Sequence, residues 1–240
     1  MALRRDDIGF GGYSLLQDDE AFCYGVDAVL LADLAHARQS DRVMDLCTGN
    51  GVIPLIIYAK YRPKSISGIE IQKSAYELAV KNAADNGLSE KISFFNMDAL
   101  DVKKRFAAES FSLVCCNPPY TEKGHGIPGA NESIHIARHE TSAALSDFTA
   151  AAAWLLPNGG RFCMVHRPSR LADIMQCCRE QGLEPKTLRM VAPHRGAAAN
   201  IVLVECVKGG GRELKVLPEL IVRNPDGSFT DEIEEIYCRK

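Results

Sequence analysis

No stretch of this sequence reaches the ~18 to 20 uninterrupted apolar residues that a membrane span requires. The opening, MALRRDDIGFGGY, turns acidic and glycine-rich where a signal peptide needs an apolar core. The expectation is a soluble, cytoplasmic protein with no membrane partner. The sequence also lacks G-x-x-x-x-G-K-[ST], which excludes a P-loop for phosphate. It has no C-x-x-C followed by a second ligand pair and no H-x-x-x-H on a helix, so no structural metal is expected from its nine cysteines and six histidines. Two adjacent pairs, Cys115/Cys116 and Cys177/Cys178, sit in apolar runs, and the cysteines read as reduced core residues. A positive surplus is missing too. The formal charge of −3 gives no overall attraction to nucleic acid, and leaves only local clusters at Arg4/Arg5, KYRPK and KKR.

What is present is a 240-residue chain, 46% hydrophobic, long enough for one large α/β domain. Apolar runs of strand length alternate with segments of helical spacing. DRVMDL, SISGIEI, KISFFN, SFSLVCC and RFCMVHR read as strands, and GVIPLIIYAKY and QKSAYELAVKNAADNG as helices between them. A helix with a threonine or serine start is expected in TSAALSDFTAAAAWLL, and another in PSRLADIMQCCREQG. PKTLRMVAP and NIVLVECVK, joined by a connection too short for a crossover helix, form an antiparallel pair. The prediction is a doubly wound, mostly parallel seven-stranded sheet with an antiparallel terminal strand, residues 1–40 forming a cap segment and 41–240 the main domain. After Gly211 only a turn at 224–227 is predicted. In such sheets ligands bind beyond the carboxyl ends of the strands, where the strand order reverses.

The motifs collect at those ends. DLCTGNGV closes the first of these strands and opens a helix, but Gly49 and Gly51 are followed by Pro54 where a dinucleotide fingerprint has its third glycine. Glu70 ends the second strand, where its two oxygens can accept both hydroxyls of a ribose. Asp98 ends the third, where it can accept from the exocyclic amine of an adenine. Either acid alone can also be an N-cap. Across residues 41–207 this spacing resembles the class I S-adenosylmethionine-dependent methyltransferases. The resemblance implies that Asp45, Gly49 and Gly51 face the methionine part of S-adenosyl-L-methionine, Glu70 its ribose and Asp98 its adenine. Cys47 stands where the family pattern has its first glycine, so the backbone there must be one a cysteine can adopt.

CCNPPYTE, residues 115–122, follows the fourth strand. Pro118 and Pro119 stop the strand and fix the backbone, since neither donates to a ladder and both lock φ. The lone pair of an exocyclic amine is delocalised into its ring. Two acceptors, the Asn117 side-chain oxygen and the Pro118 carbonyl, can hold its N–H groups and turn that lone pair toward a methyl donor. Tyr120 can stack on the base. The motif is similar to that of amino-methyltransferases acting on adenine, cytosine or a glutamine amide, and does not choose among them.

FCYGVDAVLLADLA (22–35), DLCTGNGVIPL and ARHE (137–140) together with NPPY resemble the bacterial tRNA adenine N6-methyltransferases that modify the adenine 3′ of the anticodon in a valine tRNA. That resemblance covers nearly the whole chain. It implies a tRNA partner, a cofactor-covering role for Asp27, and a substrate entrance bordered by Arg138 and His139, with Lys123 nearby. Asp27 is equally readable as an N-cap, and Arg138/His139 as a solvated turn. The rival enzyme is a release-factor glutamine methyltransferase, which shares NPPY but carries a helical N-terminal domain where about forty residues precede the first strand here. A non-catalytic RNA-binding scaffold is the rival of another class, against which the intact Asn117 and Tyr120 count. An RNA substrate predicts a basic face built from Arg4, Arg5, Lys123, Arg138, His194 and Arg195.

Overall fold

The computed structural model describes residues 3–18, 24–120 and 144–238. Every second residue of each central strand goes to one of two apolar cores. Val43, Leu113, Cys115, Cys163 and Val165 face one side, while Met44, Leu46, Val114, Cys116, Phe162 and Met164 face the other. This is the period of two expected of strands buried on both faces. In chain order the elements are β1 (Leu3–Asp7), β2 (Ser14–Asp18), α1 (Val26–Ala35), β3 (Arg42–Leu46), α2 (Val52–Tyr61), β4 (Ser65–Glu70), α3 (Lys73–Asp85) and β5 (Ile92–Asn96). They continue with α4 (Val102–Arg105), β6 (Leu113–Cys116), α5 (Leu145–Leu155), β7 (Arg161–His166), α6 (Leu171–Glu180), β8 (Leu183–His194), β9 (Ile201–Lys208), β10 (Lys215–Val216), β11 (Leu220–Arg223) and α7 (Asp231–Ile236).

The large sheet runs β10-β8-β9-β7-β6-β3-β4-β5, with β11 also pairing β8. The doubly wound, mostly parallel sheet is as expected, with β9 antiparallel to both its neighbours. Two details differ from expectation. The antiparallel strand, last of the seven, is inserted between β7 and β8 rather than placed at the edge, because the short connection from β8 leaves β9 to turn back alongside it. The tail adds two short parallel strands outside β8, then the turn at 224–227, closed by Gly227 N–H to Asn224 O at 3.0 Å, and α7. Ile233 and Ile236 of α7 join the core beside α1 and α2.

The N-terminal residues carry too little apolar periodicity to predict strands, yet β1 and β2 form an antiparallel hairpin. Its Ile8, Phe10 and Leu15 enter the α1/α2 core. The expected threonine or serine start of α5 gives way to Ala144, whose N–H is accepted by Asp147 at 2.7 Å; residues 141–143 lie outside the described chain. Cys115, Cys116, Cys163, Cys178 and Cys206 are free and buried as expected, but Cys177 is only half-buried, Cys238 is exposed and Cys47 lies in the glycine loop. No described helix is long and apolar enough to cross a membrane.

Candidate active site

The strand order reverses at β3, which has β4 on one side and β6 on the other. Register aligns the motifs across this switch point. Leu46 is opposite both Ile69 and Cys116, so Cys47, Glu70 and Asn117 stand level, one residue beyond the paired rows. Glu70 is opposite Asn96 on β5, which puts Asp98 two residues further along. Cys116 is opposite Met164, which brings His166 to the same rim. The carboxyl ends of five adjacent parallel strands thus carry all the described candidate residues except Asp27.

The glycine loop leaves β3 through Cys47, at φ +61°. A cysteine here occupies the left-handed region that its glycine counterpart enters freely, at a modest steric cost. Gly49 follows at φ +57°, and a Cβ on it would meet no atom within 4 Å, so its surface faces open space. Gly51, at φ +85°, caps α2, and a Cβ there would lie 2.9 Å from the Phe94 ring. Glu70, buried at the end of β4, accepts from Gly49 N–H through Oε2 and from Gln72 N–H through Oε1, both at 2.9 Å. Burial raises its pKa, opposed by the N–H groups of Gln72, Gly49 and Ile71. A carboxylate has lone pairs for two hydroxyls beyond those bonds. Asp98 accepts from Leu100 N–H at 3.0 Å through Oδ1, which makes it the cap of the Ala99–Asp101 turn. Its second oxygen accepts no hydrogen bond among the described residues.

Asp45 is fully buried, and neither carboxylate oxygen has a hydrogen-bond partner. Burial, opposed by the neighbouring Thr48 hydroxyl and reinforced by the Glu70 charge, pushes its pKa up to about 8. Most buried polar groups in folded proteins are hydrogen-bonded, so an orphaned carboxylate beside an open loop calls for a ligand with cationic or N–H character. An amino-acid ammonium, a ribose diol and an adenine amine, presented in that order, match Asp45, Glu70 and Asp98. The residues therefore fit S-adenosylmethionine.

On the other side of the switch point, β6 ends at Cys116, and Asn117 through Tyr120 leave the sheet with Pro118 buried. The Tyr120 hydroxyl lies 2.7 Å from Asn117 Oδ1 and 2.6 Å from Asp27 Oδ2. Asp27, buried in the first turn of α1, therefore touches the NPPY loop. Burial, then the Asp27 carboxylate, raises the Tyr120 pKa. The tyrosine ring packs against His166, with centroids 5.2 Å apart, and the Arg167 guanidinium lies 5.0 Å from its centre. His166 is fully buried. Its Nδ1 accepts Arg167 N–H at 2.8 Å, which makes Nε2 the protonated nitrogen, and Nε2 has no partner. Burial, with the Arg170 and Arg167 charges, holds its pKa down to about 4, so the ring is neutral.

Sequence reasoning passed over His166 and Arg167, although a histidine ending an apolar strand next to NPPY was visible. It also passed over Gln17, Asn50 and Asn82, which tie the hairpin to the glycine loop, because their proximity is tertiary. Lys123, Arg138 and His139 lie outside the described residues. The expected basic face is not assembled as drawn. Arg5 is bonded to Asp85 in the last turn of α3, which returns the chain to the amino edge of the sheet, away from NPPY. His194 and Arg195 follow β8 at the carboxyl edge, on the same rim as Arg167.

The family described as methyltransferase small domain matches residues 15–176. Among curated proteins, a tRNA1(Val) (adenine(37)-N6)-methyltransferase of Dickeya chrysanthemi is 25% identical, covering 98% of this chain and 94% of its own. One of the same description from Porphyromonas gingivalis is 29% identical over 70% of this chain and 68% of its own. Among solved structures, an Agrobacterium tumefaciens protein described as a "predicted O-methyltransferase" superposes with a TM-score of 0.71 at 21% identity, covering 88% of this chain and 95% of that one. TrmN from Thermus thermophilus gives 0.56 at 24% identity, over 75% and 48%. These two likenesses establish the fold.

Proposed function

The chain belongs to the methyltransferase small domain family, and on that premise we propose that it methylates the exocyclic N6 amine of an adenine in tRNA, the adenine 3′ of the anticodon of a valine tRNA. It is a methyltransferase that uses S-adenosylmethionine. The observation that carries the finer reading is the NPPY loop, standing level with the glycine loop and Glu70 across the switch point. The names of relatives matched over almost the whole chain supply the tRNA.

The residues divide the work. Asp45, Gly49 and Gly51 receive the methionine end of the cofactor, Glu70 the ribose and Asp98 the adenine amine. When bound, the cofactor supplies an electrophilic methyl on a sulfonium. Asn117 Oδ1 and the Pro118 carbonyl accept the two N–H groups of the target amine, turn its lone pair out of conjugation and favour the positive charge that develops on nitrogen. Most of the rate comes from holding that amine in line with the methyl. No base is needed beforehand, because the amine becomes strongly acidic only once alkylated. Tyr120 fixes the plane of the base by stacking. Lys123, Arg138 and His139 are assigned to the substrate entrance, and Arg167 and Arg195 to phosphates, so affinity for RNA falls as salt rises. An anticodon-loop adenine can be unstacked at low cost.

The test is transfer of tritiated methyl from S-adenosylmethionine to tRNA from a strain lacking this gene, beside purified release factor. Label in N6-methyladenosine is expected. Label in a glutamine peptide assigns the site to protein methylation, and no label in either removes the reading.

A further inference from the structure

The Tyr120 hydroxyl has two oxygen neighbours, Asp27 Oδ2 at 2.6 Å and Asn117 Oδ1 at 2.7 Å. A phenol carries one hydrogen, and neither an ionised carboxylate nor an amide oxygen has one to give. The carboxylate is the stronger acceptor, because a bond to it is charge-assisted. Once the hydrogen goes to Asp27, the contact with Asn117 sets two oxygens against each other without a proton. Turning the amide over removes the conflict. The oxygen and nitrogen of an amide are nearly isosteric, and their assignment follows from the hydrogen-bond network. With its nitrogen toward the phenol, Asn117 donates to the Tyr120 oxygen and its own oxygen is directed away.

We propose that Asp27 is a positioning residue which, through Tyr120, sets the orientation of the Asn117 amide and leaves Asn117 Oδ1 free for the methyl acceptor. The chain of donors runs from Asn117 Nδ2 to the phenol oxygen and from the phenol to Asp27. Its surroundings suit this. Asp27 is buried in the first turn of α1, and a Cβ on Gly25 would lie 2.9 Å from its Oδ1, so the glycine leaves that carboxylate its room. The raised pKa of the phenol keeps it a donor at neutral pH. Asp27 then governs the acceptor half of the site, rather than covering the cofactor. The inference rests on Asn117 receiving the target amine, as proposed above.

A double-mutant cycle tests it. In Asp27→Asn the new amide can donate to the phenol, which then gives its hydrogen to Asn117 and ties up the oxygen the amine needs. The expected result is a fall in kcat of about 10- to 100-fold with an unchanged Kd for S-adenosylhomocysteine. In a Tyr120→Phe background, which keeps the ring and loses the relay, Asp27→Asn should have no further effect on kcat. Additive losses, or weaker S-adenosylhomocysteine binding in both backgrounds, would overturn the relay and return Asp27 to the cofactor. A second readout needs no methyl acceptor. The side-chain amide resonance of Asn117, assigned by its loss in Asn117→Ala, should be protected from exchange in the native protein and lose protection in both Tyr120→Phe and Asp27→Asn. Unchanged protection refutes the relay whichever substrate the enzyme proves to use.

Discussion

Asn82 on α3 and Asp45 on β3 are both completely buried polar side chains, and they sit in opposite chemical conditions. Asn82 accepts from Leu16 N–H at 2.7 Å and donates to Leu16 O and Asn50 O, each at 3.0 Å. One helical turn later Asn86 repeats the grip on Ser14, at 2.9 and 2.7 Å. The two amides satisfy the edge of β2 where a third strand would otherwise pair, and so hold the hairpin against α3. Among the described residues, Asp45 meets no donor at full hydrogen-bonding geometry, the Thr48 hydroxyl being the one donor beside it. The contrast separates structural polarity from functional polarity. A saturated buried group fixes the fold, whereas an orphaned one keeps its bonding capacity for a ligand, and the fold bears the cost of burying it.

Five substitutions sharpen or break this contrast. The largest effect is expected at Asn117, which meets Tyr120 in the structure and is proposed to take the target amine. Asn117→Ala should lower kcat by at least about 10²- to 10³-fold while leaving S-adenosylmethionine affinity nearly intact. Asp98→Ala should weaken the cofactor instead. Calorimetry beside single-turnover assays decides, and equal losses of cofactor affinity in both variants would contradict the division of roles.

Asp45→Asn should act on binding and stability in opposite directions. Cofactor affinity should fall by about 10-fold or more, from loss of a buried ionic partner. The ligand-free protein should become more stable near pH 8. The sign follows from the raised folded pKa of about 8 against an unfolded value near 3.8. Between those values the native state holds a proton that the unfolded state has released, so stability declines as pH rises through this window. The substitution removes that decline. Binding of S-adenosylmethionine at pH 7 should release a proton in the native protein, seen as a buffer-dependent heat that Asp45→Asn lacks. A buffer-independent heat in both proteins would mean that Asp45 does not meet the cofactor as an anion.

Asn82→Ala should destabilise by about 2 to 4 kcal/mol with no such pH dependence, because it strands Leu16 N–H, Leu16 O and Asn50 O together. Urea unfolding at pH 5 and pH 8 measures it. A gain in stability would remove the distinction between the two residues. The smallest effect concerns His166, whose folded pKa of about 4 lies below its usual 6.5. Here the unfolded state binds the extra proton, so stability is lost as pH falls from 6.5 toward 4, and His166→Gln should flatten that slope in a thermal melt.

The positions of the candidate site residues were legible because they lie at strand ends, and strand ends are written locally. Asp45, Glu70 and Asp98 each close a short apolar run, and Asn117 is marked by the two prolines after it. What those residues touch was less legible. Asp98 is both a cap and a candidate ligand, and Asp27 lies against Tyr120, 93 positions later in the chain. The hairpin was missed because LRRDD and SLLQD lack a shared apolar face strong enough to announce strands; the side-chain amides of α3 complete β2 instead.

The sequence by itself determined the alternation of strands and helices, the parallel character of the sheet, and the residues at the rim, since hydrophobic period, glycine and proline act within a few residues of themselves. Only the tertiary structure decided the insertion of β9 between β7 and β8, the separation of Arg5 from His194 and Arg195, and which buried polar groups are saturated. Those outcomes depend on meetings between residues far apart in the chain, and hydrogen bonding in a dry interior is settled by distances of a few tenths of an ångström that no local pattern encodes.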